Sequence, residues 1–544
     1  MESKPRPFYT LNGAVATPNA LASGTALRIL SHGGNAIEAA IGAAATMAVV
    51  YPHMNGIGGD NVWLIYDAVH DETRALVGIG QAGRAATVDA YRQRGFTDSM
   101  PERGVLAVNT SPGAIDGWWE AYQYSAGRML GQWDWNDLLR DAIQYADEGY
   151  PVTYSQAQWS HGLMEMARRY NVPGLVDTYL TESGKVPLVG QRQRFPNLSK
   201  TLKLIAKYGR DGFYQGTVAE SIIEEIHANN GLLTLADWRE PHAVWDSPLS
   251  LTYRGDFLLM NTPPPTQGIA ALMIMGLLNQ FPVESWDSRS LNYLHVMIES
   301  AKIALTVRNR ELGDPSSMTV PAQDLLGAQH LHELANKIDP AGRASVFPTG
   351  PSLDGGTVAI VVHDNLGNAV SLIQSIYHDF GSGFVAKNSG VLLQNRGISF
   401  SLQSHHPNTL APGKRPVHTL SAAMAFRKGR PILVYGTMGG DGQPQTQSAL
   451  VTRVLDHGQN VVEALSGPRW LFGRTWGDTE QSVFLEGGFS HEVVEALRHR
   501  GHTITVLGPF DDKFGHAQAI EVNPTTSSMA AASDPRSDGG AYAW

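Results

Sequence analysis

Asp354-Gly355-Gly356-Thr357-Val358-Ala359-Ile360 joins two kinds of text. Before it, Asp339 to Gly356 is a Pro, Gly, Ser and Asp tract without periodicity, expected to be flexible. After it, Thr357 to His363 and Asn368 to Tyr377 are β-branched runs joined by Asp364-Asn365-Leu366-Gly367, which predicts a hairpin. A threonine behind two glycines at such a junction has a chemical use if the chain is cut before it. The glycines let the peptide bend until the hydroxyl attacks the preceding carbonyl, an N-to-O acyl shift completed by ester hydrolysis. The product is a threonine whose free α-amine, with a pKa of about 7.7 to 8.0, serves as base for its own hydroxyl. The same letters also suit an ordinary strand start after a glycine turn, and local sequence leaves both open.

Upstream, Ala20 to Leu30 and Ala36 to Val50 read as helices separated by His32-Gly33-Gly34-Asn35, and Val62 to Tyr66 reads as a buried strand. Gln156 to Arg169, Thr217 to Asn229 and Gly268 to Leu278 also carry helical patterns. Downstream, Gly390 to Leu393 and Pro431 to Tyr435 predict strands, and Gln447 to Asp456 and His491 to His499 predict helices. Sheets covered by helices, an α/β or α+β architecture, follow.

Composition narrows the function. The 544 residues carry 41 Lys+Arg against 51 Asp+Glu, a formal charge of -10, and no basic run interleaved with aromatics, which argues against nucleic acid and for a small-molecule partner. Cysteine is absent, removing disulfides, thiolate catalysis, cysteine zinc sites and iron-sulfur clusters. The N-terminus has no apolar stretch behind its first cations, and the longest apolar run, Ala39 to Tyr51, is short and diluted by Gly42 and Thr46, so a cytoplasmic, non-membrane protein is expected.

A G-x-G-x-x-G match at Gly78, Gly80 and Gly83 follows an apolar run and precedes a helix-like stretch, Ala85 to Arg94. As a dinucleotide turn it would make the chain an oxidoreductase, but the acidic residue expected about twenty positions on is only loosely met by Asp98 or Glu102. A bland glycine turn fits better. The serine-hydrolase elbow, the P-loop and the zincin helix have no match, and His405, His406 and His418 lack partners at metal-ligand spacing.

The wider text is specific. "ASGTALRILSHGGNAIEAAIGAAATMAVVYPHMNGIGGD", "SPGAIDGWW", "GFYQGTVAESI", "TPPPTQGI" and "ESAKIALTVRNRELGDP" are followed in order by "TVAIVVHDNLGNAVSLIQSIYHDFGSG", "SGVLLQN", "APGKRP", "GTMGGDGQPQ", "SGPRW" and "SDPRSDGGA". Together they resemble the γ-glutamyltransferase family of N-terminal-nucleophile hydrolases, nearly end to end. The resemblance implies a four-layer αββα sandwich, built jointly by a large segment 1-356 and a small segment 357-544, and autocleavage between Gly356 and Thr357. It makes Thr357 the nucleophile, Ser375 its hydrogen-bonding support, and Gly439 and Gly440 the oxyanion hole. No metal or organic cofactor is implied; the partners are a small amide and the two segments themselves, with homo-oligomers left open. A homologue that kept the fold but never matured would be a binding module instead.

The departures bear on substrate. Where family members hold an amino-acid carboxylate with an Arg, this chain has Gly78-Ile79-Gly80-Gln81-Ala82-Gly83-Arg84, without an Arg in register. Ser399 stands where an Asp grips the amino group, and His418-Thr419 replaces a Ser pair. The amino-acid clamp is broken while the acyl-transfer residues remain. Arg84, Tyr377, Arg396, Ser399, His418 and Thr419 are therefore the candidate substrate-binding residues, and Arg offers a fork to a small carboxylate. The pattern resembles an oxamate-amidohydrolase-like branch, which implies hydrolysis of a small carboxylate-bearing amide such as oxamate. A γ-glutamyltransferase or glutathione hydrolase is the alternative, and a cephalosporin-acylase-like enzyme a more distant one.

Overall fold

The computed structural model describes residues 6–345, 356–473 and 482–544. Of the tract expected to be flexible, 346–355 lies outside the described residues. The predicted hairpin is present: Gly356–His363 runs antiparallel to Ala369–Tyr377. Its turn is held by Asp364, whose Oδ1 accepts the Leu366 and Asn368 N–H groups at 2.9 Å. Side chains alternate across a strand, so Val358, Ile360 and Val362 enter a core beneath helices, while Ala359 and Val361 enter a core between two sheets. Burial on both faces explains why these strands read as unbroken apolar runs.

Among the described residues, two seven-stranded sheets stack on one another. In the first, the hairpin is flanked by Ala14–Thr17 and Asp60–Asp67. In the second, Arg430–Thr437 lies between Ala423–Arg427 and Ala517–Val522, with Phe257–Asn261 and Leu249–Tyr253 beyond. Helices Ala20–Ser31 and Ala36–Val50 cover the first sheet, Gly268–Leu278 and Gly442–Leu455 cover the second, and Leu291–Glu311 packs on those last two helices. This is the αββα sandwich implied by the resemblance. Ala36–Val50 is buried along its whole length, which its alanines permit, and Asn35 with Glu38 closes its first turn as a capping box.

Two helical expectations change. Gln156 to Arg169 divides into Tyr154–Trp159, a 3-10 turn Ser160–Gly162, and Leu163–Tyr170; Ser160 Oγ bonds back to the Gln156 carbonyl at 2.8 Å, which favours a bend. The helix expected from Ala85 to Arg94 shortens to Val88–Arg92, started by Thr87. The glycine motif before it is no phosphate cradle. A Cβ on Gly80 would stand 1.4 Å from the Ser111 carbonyl oxygen, so the glycine is required by backbone packing. No described helix is long and apolar enough to cross a membrane.

Candidate active site

The hairpin register slips at Thr357. Gly356 pairs with Tyr377 and Val358 with Gln374, so Ser375 and Ile376 together oppose Thr357. Such a bulge redirects a side chain. Here it brings Ser375 Oγ to Thr357 Oγ1, which donates to it at 3.3 Å. Ser375 Oγ also accepts the Tyr377 N–H at 2.7 Å and donates to the Gly356 carbonyl at 2.5 Å. One serine thus links the Thr357 hydroxyl to the Gly356 carbonyl, in a fully buried setting.

The glycine pair lies at the same end of the sandwich. Ser371 Oγ donates to the Tyr435 carbonyl at 2.8 Å, and the next residue, Gly436, passes against Ala359 and Ile373, so Arg430–Thr437 runs toward Thr357 and Ser375. Just beyond it, Gly439 and Gly440 adopt φ of 119° and 51°, a region costly for side chains, and lead into the helix Gly442–Leu455. Among the described residues neither glycine N–H has a protein acceptor, and both sit at a helix N-terminus, where the backbone favours negative charge. A buried rack holds them: Gln267 Nε2 donates to the carbonyls of Gly440 and Thr419 at 2.7 Å each, and Arg308 donates to Gln267 Oε1 at 2.6 Å and pairs with Asp441. These supporting residues were not read from the sequence, although "TPPPTQGI", "RNRELGDP" and "GTMGGDGQPQ" contain Gln267, Arg308 and Asp441.

Arg396 opens the 3-10 turn Arg396–Ser399 and is completely buried. Its Nη2 donates to Thr419 Oγ1 at 3.1 Å, and its guanidinium carbon lies 3.6 Å from the centre of the Tyr377 ring. Nε and Nη1 are buried with no partner among the described residues. Burial lowers the pKa to about 10 against the pull of Tyr377 and Asp60, so the group stays charged at neutral pH. His418 is buried too; desolvation, with Arg396 beside it, keeps its pKa well below the ordinary value. The neutral ring accepts the Leu420 N–H on Nδ1 and presents Nε2 to Asp60 Oδ2 at 3.3 Å.

Asp60 is the site residue that sequence reasoning missed. It pairs in register with Ser375, and its Oδ1 accepts the N–H groups of Gly80 at 3.1 Å and Gly113 at 2.8 Å. Desolvation outweighs those bonds and the Arg396 charge, raising its pKa to about 6. The available signal was an acid opening the apolar run Val62 to Tyr66, where an ionised side chain needs a specific reason. Ser399 turns aside, its Oγ donating to the Val417 carbonyl at 2.8 Å. Arg84 is not brought to the site: its exposed side chain pairs with Glu240 and Asp237. Tyr377, Arg396, His418 and Thr419 do converge on Thr357, Ser375 and Asp60.

Comparison with known proteins points to one family and fold. The family model described as gamma-glutamyltranspeptidase matches residues 22–544. The oxamate amidohydrolase proenzyme of Klebsiella pneumoniae is 43% identical, over 97% of this chain and 98% of that protein. The glutathione hydrolase-like YwrD proenzyme of Bacillus subtilis is 37% identical over 97% of each. A crystal structure of cephalosporin acylase from Bacillus halodurans superposes with a TM-score of 0.91 at 34% identity, covering 100% of this chain and 98% of that one. The chain belongs to the γ-glutamyltranspeptidase family of N-terminal-nucleophile hydrolases and is an amide-bond hydrolase.

Proposed function

We propose that this protein is a self-processing amidohydrolase that cleaves a small carboxylate-bearing amide, of which oxamate is the model, through an acyl-enzyme on Thr357. In maturation Thr357 Oγ attacks the Gly356 carbonyl carbon, the bond to Thr357 N breaks, and water hydrolyses the resulting ester. Segments 1-356 and 357-544 result, the second beginning with a free amine. In turnover that amine takes the hydroxyl proton as Oγ bonds to the substrate carbonyl carbon, and it returns the proton to the departing nitrogen when the C–N bond breaks. Gly439 and Gly440 N–H groups receive the oxyanion, and water releases the acid.

One observation carries the substrate class: the buried Arg396 guanidinium with two unpartnered donors, flanked by Tyr377 and Thr419. A buried charge left so is costly unless an anion meets it. A γ-glutamyl head would bring an ammonium as well, and Asp60, the acid beside Arg396, is already engaged by Gly80, Gly113 and His418. The relative named for oxamate hydrolysis points the same way. The test compares kcat/KM for oxamate, glutathione and γ-glutamyl-p-nitroanilide on matured enzyme. Oxamate is expected to lead, and a clear preference for the γ-glutamyl compounds would replace this reading with glutathione hydrolysis. Arg396→Met should lower kcat/KM for oxamate by about 10- to 150-fold, the loss of hydrogen bonds to a charged group of about 1.5–3 kcal/mol.

Asp60 adds a pH dependence. As pH rises through about 6 its carboxyl ionises beside Arg396, offsetting the guanidinium charge, while His418 stays neutral. The inhibition constant of a product-like anion such as oxalate should therefore rise across that window in the wild type and flatten there in Asp60→Asn. A profile unchanged by the substitution would assign the titration elsewhere.

A further inference from the structure

In the proposed reaction a short acyl group is held at two points, by the Gly439 and Gly440 N–H groups at its carbonyl oxygen and by Arg396 at its carboxylate. These anchors sit on two prongs of a fork. Ala423–Arg427 and Arg430–Thr437 are antiparallel neighbours whose pairing ends with Ala423 opposite Tyr435. Past that rung, the chain ahead of Ala423 carries Thr419, whose Oγ1 accepts Arg396 Nη2, and the chain behind Tyr435 carries Gly439 and Gly440.

The fully buried side chain of Gln267 bridges the prongs. Its Nε2 donates to the Thr419 carbonyl and to the Gly440 carbonyl, at 2.7 Å each, so both amide hydrogens are used. Its backbone N–H donates to the His418 carbonyl at 2.9 Å, which seats the residue against the first prong. Arg308, which can only donate, gives Nη1 to Gln267 Oε1 at 2.6 Å and thereby orients the amide with its nitrogen toward the two carbonyls. Arg308 also pairs with Asp441, the residue after Gly440. One amide thus ties the oxyanion turn to the residue that supports Arg396.

We infer that Gln267 is a positioning residue for acyl length: it fixes the separation of the oxyanion turn from the Thr419 and Arg396 anchor, and the site discriminates among acyl chains by how well they match that separation. The inference rests on the acyl assignment made above. Gln267 acts through Thr419 and Gly440. Each methylene added between the reacting carbonyl and the carboxylate moves one end of the acyl group off its anchor, and a misplacement of about 1 Å can cost about 100-fold in rate.

The test compares oxamate, malonamate and succinamate, whose carboxylate lies directly on the amide carbonyl or one or two methylenes away, on matured wild type, Gln267→Glu and Gln267→Met. Glutamate keeps the shape and the bond from Arg308 but has no N–H for the two carbonyls; methionine keeps the length without either bond. The fold should survive both, because Gln447 Nε2 donates to the Ser421 carbonyl at 2.6 Å and ties the helix Gly442–Leu455 to the first prong independently. Wild type should discriminate at least tenfold in kcat/KM between the best and the worst of the three. Each variant should shrink that discrimination at least fivefold, with the larger loss on the preferred substrate, whereas a merely structural role would lower all three by one factor. A wild type that takes the three within tenfold of one another, or a folded variant that shrinks the discrimination by less than fivefold, overturns the proposal. If one variant does not fold and mature, by circular dichroism and intact mass, the other decides; if neither does, Gln267 serves folding and the proposal is equally overturned. If wild type hydrolyses none of the three, the acyl assignment has failed instead. The same variants are then read on γ-glutamyl-p-nitroanilide against β-aspartyl-p-nitroanilide, which differ by one methylene, with the same required change in ratio.

Discussion

Thr357→Ala is expected to remain a single chain near 58.9 kDa with no amidohydrolase activity. The side chain is wanted twice, first against the Gly356 carbonyl and then against the substrate, and alanine has no oxygen for either. The fold should survive, because among the described residues the Thr357 side chain bonds to Ser375, which keeps its bonds to Gly356 and Tyr377. Intact mass spectrometry should show a wild-type small fragment beginning at Thr357 and no fragment from the variant. Thr357→Ser should keep part of both functions, since a primary hydroxyl still performs the acyl shift. Fragments that persist at the same position in the alanine variant would end the self-cleavage mechanism.

Gly440→Val should lower kcat by about 100- to 1000-fold, the usual effect of losing one oxyanion donor. At φ of 51° a β-branched side chain is strained, and relief of that strain moves the N–H groups proposed to receive the oxyanion. Gly440→Ala provides the control for folding. A left-handed alanine costs roughly 1–2 kcal/mol, little enough for the rack of Gln267, Arg308 and Asp441 to keep the protein folded while the strained turn shifts its donors. Soluble, folded alanine variant with strongly reduced kcat is the expected result, measured with circular dichroism beside steady-state kinetics. Loss of soluble protein in both variants would assign the glycine pair to the turn alone.

The hairpin, the two N-terminal helices and the helix Gly268–Leu278 were legible because period and punctuation agree there: continuous apolar runs for strands buried on two faces, alanine-rich runs for helices pressed against them. The helix at 156–169 misled because periodicity does not register a serine that bonds back to its own turn. Thr357, Ser375, Gly439 and Gly440 were candidates through resemblance; the bulge at Thr357 and the left-handed turn at Gly439 and Gly440 could not be read from the letters. Arg84 and Arg396 looked equivalent as letters. Only tertiary burial separates an exposed, paired arginine from an enclosed one with open donors. Asp60 escaped notice since its partners, Gly80, Gly113 and His418, come from distant loops.

The strands of each sheet come from both sides of the Gly356–Thr357 bond. Ala14–Thr17 and Asp60–Asp67 enclose the hairpin in one sheet, and Phe257–Asn261 and Leu249–Tyr253 extend the other. Opening that bond therefore nicks a finished weave without parting it. Neither piece owns a complete interior, so two genes encoding the pieces separately would ask each to wait, half-built, for a stranger. Under the proposed maturation, continuity of the polypeptide would be needed once, during folding, and then be dispensable: the covalent link would behave as scaffolding that the enclosed hydroxyl removes from within.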